Sequence, residues 1–150
     1  MIEINNNTKN KIDEKYLEKN IIKILNILNL KNKYISFAIV SKNEIHKMNL
    51  DYRKKDKETD VLSFPFVFIK SIWDFKKFKE IDLGEIIICY DVVKKQAKEF
   101  DKSIEEEALF LSLHGILHLL GFEDEKTEKE WKHMERWQNY LCEKIKIKSR

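Results

Sequence analysis

His114 and His118 stand four residues apart in the run Leu113-His114-Gly115-Ile116-Leu117-His118-Leu119-Leu120-Gly121-Phe122-Glu123-Asp124. On a helix, residues at this spacing lie one turn apart on one face. The segment before Gly121 is otherwise almost wholly apolar, so the helix is expected to be buried. Each imidazole brings a donor and an acceptor, and burying either without a partner is costly. A divalent ion resolves this, because two neutral imidazoles one turn apart can reach the same cation. Gly121 supplies a helix stop after which the chain can turn back. Asp124, three residues further on, is a candidate third ligand. The plainer reading is a pair of core histidines bonded to carbonyls or carboxylates, followed by a solvated acidic cap, Glu123-Asp124-Glu125. The pair, the glycine stop and the acid together favour the metal.

A metal with an open position lowers the pKa of bound water and polarises the bond under attack. A zinc peptidase of the H-E-x-x-H type needs a glutamate directly after the first histidine. Gly115 occupies that place, so a peptidase would lack its base. A phosphodiester instead needs a cation for the charge that develops during cleavage. Arg53, in the charged run Asp51–Asp60, is the candidate: a guanidinium grips phosphate with two hydrogen bonds and cannot lose its charge. By its residues alone the run reads first as a solvated charge run beside a turn. Lys70, Lys76, Lys77 and Lys79 interleave with Trp73, Phe75 and Phe78. Such a mixture can track a nucleic-acid strand, but an amphipathic flap over the core is the expectation here. His46 and His133 read as ordinary surface or half-buried histidines.

Several elements must position these groups. Ile12, Leu17, Ile21, Ile24, Leu25 and Leu28 form a helical stripe over residues 11–30. Lys33–Val40 alternates like a strand. Ser41-Lys42-Asn43-Glu44 is a capping box that opens a helix. Val61–Ile69 is a strand with Leu62, Phe64, Phe66 and Phe68 on one face, and Pro65 makes it an edge or a bulge. Gly84–Tyr90 is another strand, and Asp91 is expected to cap a helix reaching about Phe100. Ser103–Glu106 and Thr127–Glu130 are further capping boxes. The first opens the histidine helix; the second opens a helix with Trp131, Met134, Gln138, Leu141 and Ile145 on one face. With a short strand at the N-terminus, the order is strand, helix, strand, helix, two strands and three helices. The expected fold is α+β, one domain over residues 1–150, a small mixed sheet covered by helices with the metal site at the end of a buried helix. The basic tail Lys144–Arg150 is expected to fray.

At 150 residues with 43% hydrophobic content, the chain is long enough for one real core. A formal charge of +3 permits a polyanionic partner without demanding one. Cys89 and Cys142 are far apart and form no C-x-x-C, so this is no disulfide scaffold. No signal peptide or membrane-length apolar stretch is visible, and the cytoplasm is the expected compartment.

Three ordered stretches carry a resemblance. They are His114-Gly115-x-Leu117-His118-Leu119-x-Gly121-Phe122, then Tyr52-Arg53-x-Lys55-Asp56-x-x-Thr59-Asp60-Val61-Leu62-Ser63-Phe64-Pro65-Phe66, and Gly84-Glu85-Ile86-x-Ile88-Cys89. Over about residues 35 to 140 the chain resembles the bacterial YbeY family of metal-dependent endoribonucleases and rRNA maturation factors. The resemblance implies an α+β domain with one divalent ion, zinc being expected, and an essential arginine at Arg53. It also implies 16S rRNA and the small ribosomal subunit as partners, single-stranded RNA as substrate, and a role in ribosome quality control. The family pattern ends in a third histidine where this chain has Asp124. A carboxylate is a competent zinc ligand but cancels more of the ion's charge, so bound water should be less acidic. The connection 70–82 also departs, since the family often has an acidic, Pro- and Gly-containing loop there. Two rivals remain: an RNA- or ribosome-binding assembly factor with a structural metal, and, disfavoured by Gly115, a peptidase.

Overall fold

The computed structural model describes residues 1–66, 82–123 and 127–149. Its elements follow the expected order: β1 (Ile2–Asn6), α1 (Glu14–Ile27), β2 (Tyr34–Val40), α2 (Lys42–Arg53), β3 (Val61–Pro65), β4 (Asp82–Cys89), α3 (Tyr90–Glu99), α4 (Ile104–Leu119) and α5 (Glu128–Ile145). The four strands form one sheet in the order β1-β2-β4-β3. β1 and β4 both run parallel to β2, and β3 runs antiparallel to β4. The fold is therefore α+β with a mixed sheet. Among the described strands β3 lies at an edge, one of the two placements that Pro65 allows.

Helix starts follow side-chain chemistry. Ser41, Ser103 and Thr127 accept from the backbone N–H of Glu44, Glu106 and Glu130 at 3.3, 3.0 and 3.1 Å. Each satisfies a donor that the first turn would leave orphaned. Asp13 does the same for α1 through Tyr16 N–H at 3.0 Å. Asp91 departs from expectation. α3 begins at Tyr90 after a Cys89 cap that makes no side-chain bond. The Asp91 carboxylate instead accepts from the N–H of Lys42 at 3.1 Å, so it caps the first turn of α2.

The two faces of the sheet differ in weight. On one, Phe37, Ile39, Ile86 and Ile88 join the main core with residues from α1, α4 and α5. On the other, Ala38, Val40, Leu62, Ile87 and Cys89 form a small cluster with Ile45 of α2. α4 is buried around most of its circumference, from Glu107 to Leu113 and on to Leu119. It touches α1, α3, α5, β3 and β4. A helix apolar all round is stable only in such a central place. Burial pushes the Cys142 thiol up to about 11 and raises that of Cys89 as well, so both stay protonated and inert, as buried thiols should.

Three details correct the sequence reading. Phe66 is 57% exposed beyond the end of β3, so it does not continue the Leu62 and Phe64 face. Trp131 is 47% exposed, whereas Met134, Leu141 and Ile145 are buried. The tail is docked. Lys146 adopts a left-handed conformation, and the Ile147 N–H returns to the Cys142 carbonyl at 3.0 Å. This turn carries Ile147 into the core and follows the hydrophobic logic of a helix C-cap. Phe68 and the Lys- and aromatic-rich stretch 70–79 lie outside the described residues, as do Asp124 and Arg150. Among the described residues no helix is long and apolar enough to cross a membrane.

Candidate functional site

α4 ends in a tight reversal. Gly121 takes a positive φ of 92°. Its N–H bonds to the His118 carbonyl at 3.0 Å, and the Phe122 N–H reaches back to the Leu117 carbonyl at 3.1 Å. These are the two bonds of a Schellman cap, for which glycine is the favoured residue. The reversal has a chemical consequence. It brings the Phe122 carbonyl to 2.9 Å from His118 Nδ1. A carbonyl can only accept, so Nδ1 donates to it, and Nε2 is the nitrogen turned toward His114.

His114 is held from another helix. Its Nδ1 lies 2.8 Å from Oε1 of Gln138 on α5, an acceptor for an Nδ1–H. The two Nε2 atoms approach to 2.9 Å, with the rings nearly perpendicular at 78°. At that distance the two nitrogens share a positive centre, either a proton carried by one ring or a cation held by both. This donor set fits a divalent cation: two imidazoles whose other ring nitrogens each face an acceptor.

Both histidines are half-buried and line an open cleft of about 610 Å³. Arg53 lines the same cleft, as do Ser63 and Pro65 of β3 and Asp60 just before it. The arrangement follows from the topology. α2 packs on one face of the sheet and α4 on the other, and their ends meet around the β3 edge. Arg53 is the last residue of α2 and is exposed, so its charge is fully available. Asn49, buried at the middle of α2, donates to the Lys57 carbonyl at 2.8 Å and pins the loop that follows Arg53. His46 pairs with Asp56 at 2.6 Å on the surface, and His133 stacks on Phe122 with centroids 5.0 Å apart. Neither lines the cleft.

Close approach explains Gly115. A Cβ there would lie 2.9 and 3.0 Å from two Ile86 carbons and 3.1 Å from Ser63 Oγ. The glutamate of an H-E-x-x-H site would have to occupy that space, so α4 could not lie on this sheet and carry one. Gly84, with φ 135°, sits in β4 beside Pro65, and a Cβ there would come within 2.2 Å of the Phe64 carbonyl.

Residues 3–146 match the family described as endoribonuclease YbeY. This chain belongs to the endoribonuclease YbeY family. The endoribonuclease YbeY of Aquifex aeolicus is 39% identical over 137 residues, covering 91% of this chain and 87% of that protein. That of Aliarcobacter butzleri is 40% identical over 152 residues, covering 99% and 95%. The solution structure of TM1509 from Thermotoga maritima superposes with a TM-score of 0.61 at 28% identity, covering 97% of this chain and 92% of that one. The YbeY resemblance read from three motifs thus holds over nearly the whole chain.

Sequence reasoning missed Gln138 and Asp60 as site residues. Gln138 had a signal: it is the polar member of an otherwise apolar helical face. Asp60 is half-buried, lines the cleft, and accepts from Gln96 Nε2 at 3.4 Å; within a run of charges nothing set it apart.

Proposed function

We propose that this chain is a metal-dependent endoribonuclease that cleaves single-stranded RNA, acting in 16S rRNA maturation and ribosome quality control on the small subunit in the cytoplasm. The observation that carries the reading is the convergence of two imidazole Nε2 atoms in one cleft with an exposed arginine. The endoribonuclease identity of the relatives supports the RNA substrate. At about 610 Å³ the cleft falls within the roughly 300–1,000 Å³ usual for ligand sites. His114 and His118 would hold one divalent ion, zinc being expected, with Asp124 as third ligand. When bound, the ion supplies Lewis acidity toward a phosphoryl oxygen and lowers the pKa of water. Arg53 clamps the phosphate and offsets charge as it builds on the oxygens. Phe122 and Gln138 keep both imidazoles in the ligand tautomer.

The test is metal content and cleavage of single-stranded RNA in the native chain, His114→Ala and His118→Ala. Loss of metal and of cleavage in both variants is expected. A native chain that holds no divalent ion, or variants that still cleave, would overturn the proposal. Asp124→His should bind zinc at least as tightly as the native chain, and Asp124→Ala more weakly; full affinity in Asp124→Ala would remove Asp124 from the ligand set.

A further inference from the structure

Gln138 reaches the site from outside it. It is half-buried on α5, 24 residues from His114, and its Oε1 lies 2.8 Å from His114 Nδ1. Met134 and Leu141, on the same face, are fully buried, so an amide between them is out of place unless it has a partner. The two histidines are therefore fixed by different means. His118 is held by a backbone carbonyl four residues away, which no side-chain substitution removes. At His114 Nδ1 the partner is a side-chain amide, and an amide has two ends. With Oε1 toward the ring, Nδ1 carries the proton and Nε2 does not. With the amine end toward the ring, Nδ1 would accept and Nε2 would carry the proton. That proton would then point at His118 Nε2, 2.9 Å away, and the pair would satisfy itself as a hydrogen bond with no lone pair left for a cation.

We infer that Gln138 is a positioning residue: by accepting from His114 Nδ1 through Oε1, it orients the ring and favours the tautomer in which His114 Nε2 can serve as a metal ligand. This rests on the metal reading of the site proposed above. The same contact makes the docking of α5 part of the site, since α5 touches α4 and supplies the acceptor. Partners that orient a ligand histidine typically change metal affinity by roughly 10- to 100-fold when removed.

The discriminating variants are Gln138→Leu, which fills the space without an acceptor, and Gln138→Glu, which when ionised can accept but not donate. Zinc affinity is measured by competition with a chromophoric chelator, alongside melts of the metal-free proteins. Gln138→Leu should bind zinc roughly 10- to 100-fold more weakly, and Gln138→Glu should bind as tightly as the native chain or more so. In the zinc-loaded native protein, long-range proton–nitrogen NMR should show His114 protonated at Nδ1. Native affinity in Gln138→Leu, an equal loss in Gln138→Glu, or an unprotonated His114 Nδ1 would each overturn the inference. If Gln138→Leu fails to fold, Gln138→Glu and the native spectrum still decide it. A native chain that takes up no zinc sinks the metal reading itself, a result separate from any difference among the variants.

Discussion

His114 and His118 project from α4, a helix enclosed by α1, α3, α5 and the sheet. Arg53 ends α2, a helix in which only Ile45 and Asn49 are buried. The two sides of the cleft therefore answer to different forces. The histidine side is fixed by packing, where each fully buried aliphatic side chain contributes about 1.5–3 kcal/mol and small changes in volume are felt. The arginine side is fixed by local backbone bonds and a few polar anchors, and its charge stays in water. Positions on the first side should govern fold and site together. Positions on the second should govern the site alone.

The largest expected effect therefore lies at the glycines on the packed side. In Gly84→Ala the new Cβ would lie 2.2 Å from a backbone carbonyl, at a φ that side chains rarely adopt. Strain and overpacking each cost about 1–3 kcal/mol, so a loss of roughly 3 kcal/mol or more is expected in chemical denaturation. Gly115→Ala meets side-chain carbons of Ile86 and the Ser63 hydroxyl, which can yield, so about 1–3 kcal/mol is expected. Metal affinity should fall with it, because His114 is the preceding residue. A Gly115→Ala chain with native stability would show that α4 does not press on the sheet.

The second effect concerns Arg53, on the open side. Arg53→Ala should leave the melt within about 0.5 kcal/mol of native, as for ordinary surface sites, and metal content unchanged. Cleavage of single-stranded RNA should drop, and Arg53→Lys should recover it only in part, because an ammonium keeps the charge without the fork. Unfolding in Arg53→Ala would make the arginine structural and erase the contrast between the sides. Native cleavage in Arg53→Ala would remove its phosphate role.

The same contrast governs what could be read without coordinates. The nine elements of the described residues and their order were legible, because the period of α1, the alternation of β2 and the three Ser or Thr caps are local signals. The histidine pair and Pro65 at an edge were legible for the same reason. What depends on the far side of the molecule was not. Asp91 looked like the cap of its own helix and serves α2 instead, since nothing local shows that the two helix starts are neighbours. Trp131 sits at core spacing but is 47% exposed, because the face of α5 around it borders a second cleft of about 220 Å³ shared with His114 and Gln138. The glycines were legible only in part. The chain has 3 in all. Four other positive-φ positions are filled by Asn29, Lys54, Asp101 and Lys146, so this sequence does not reserve glycine for left-handed turns. Gly84 and Gly115 stand where a Cβ would have no room, which only the packing reveals, whereas Gly121 at the histidine reversal was legible as a helix stop.

The smallest effect, and the finest test of the open side, is at Lys54. This residue closes α2 in a left-handed conformation, φ 58° and ψ 29°. Its N–H bonds to Leu50 O at 3.1 Å, and the N–H of Lys55 bonds to Asn49 O at 3.2 Å. The turn directs the chain away just after Arg53. A side chain in that conformation costs about 1–2 kcal/mol relative to glycine, while glycine gives the unfolded chain roughly 0.4–1 kcal/mol of extra entropy. Lys54 Nζ also bonds to Asp51 O at 3.2 Å on the surface, and any substitution loses that bond. Comparing Lys54→Gly with Lys54→Ala cancels the lost amine and leaves only the backbone. Lys54→Gly should be the more stable by about 0.5–1 kcal/mol, a rise of roughly 1–4 °C in melting temperature for a chain of this size, the reverse of the usual helix ranking of the two residues. Cleavage should differ little between them, because Arg53 keeps its place on the last turn in both. Were Lys54→Ala the more stable, α2 would continue past Arg53 in solution, and the arginine side of the cleft would be set by helix propensity rather than by this turn.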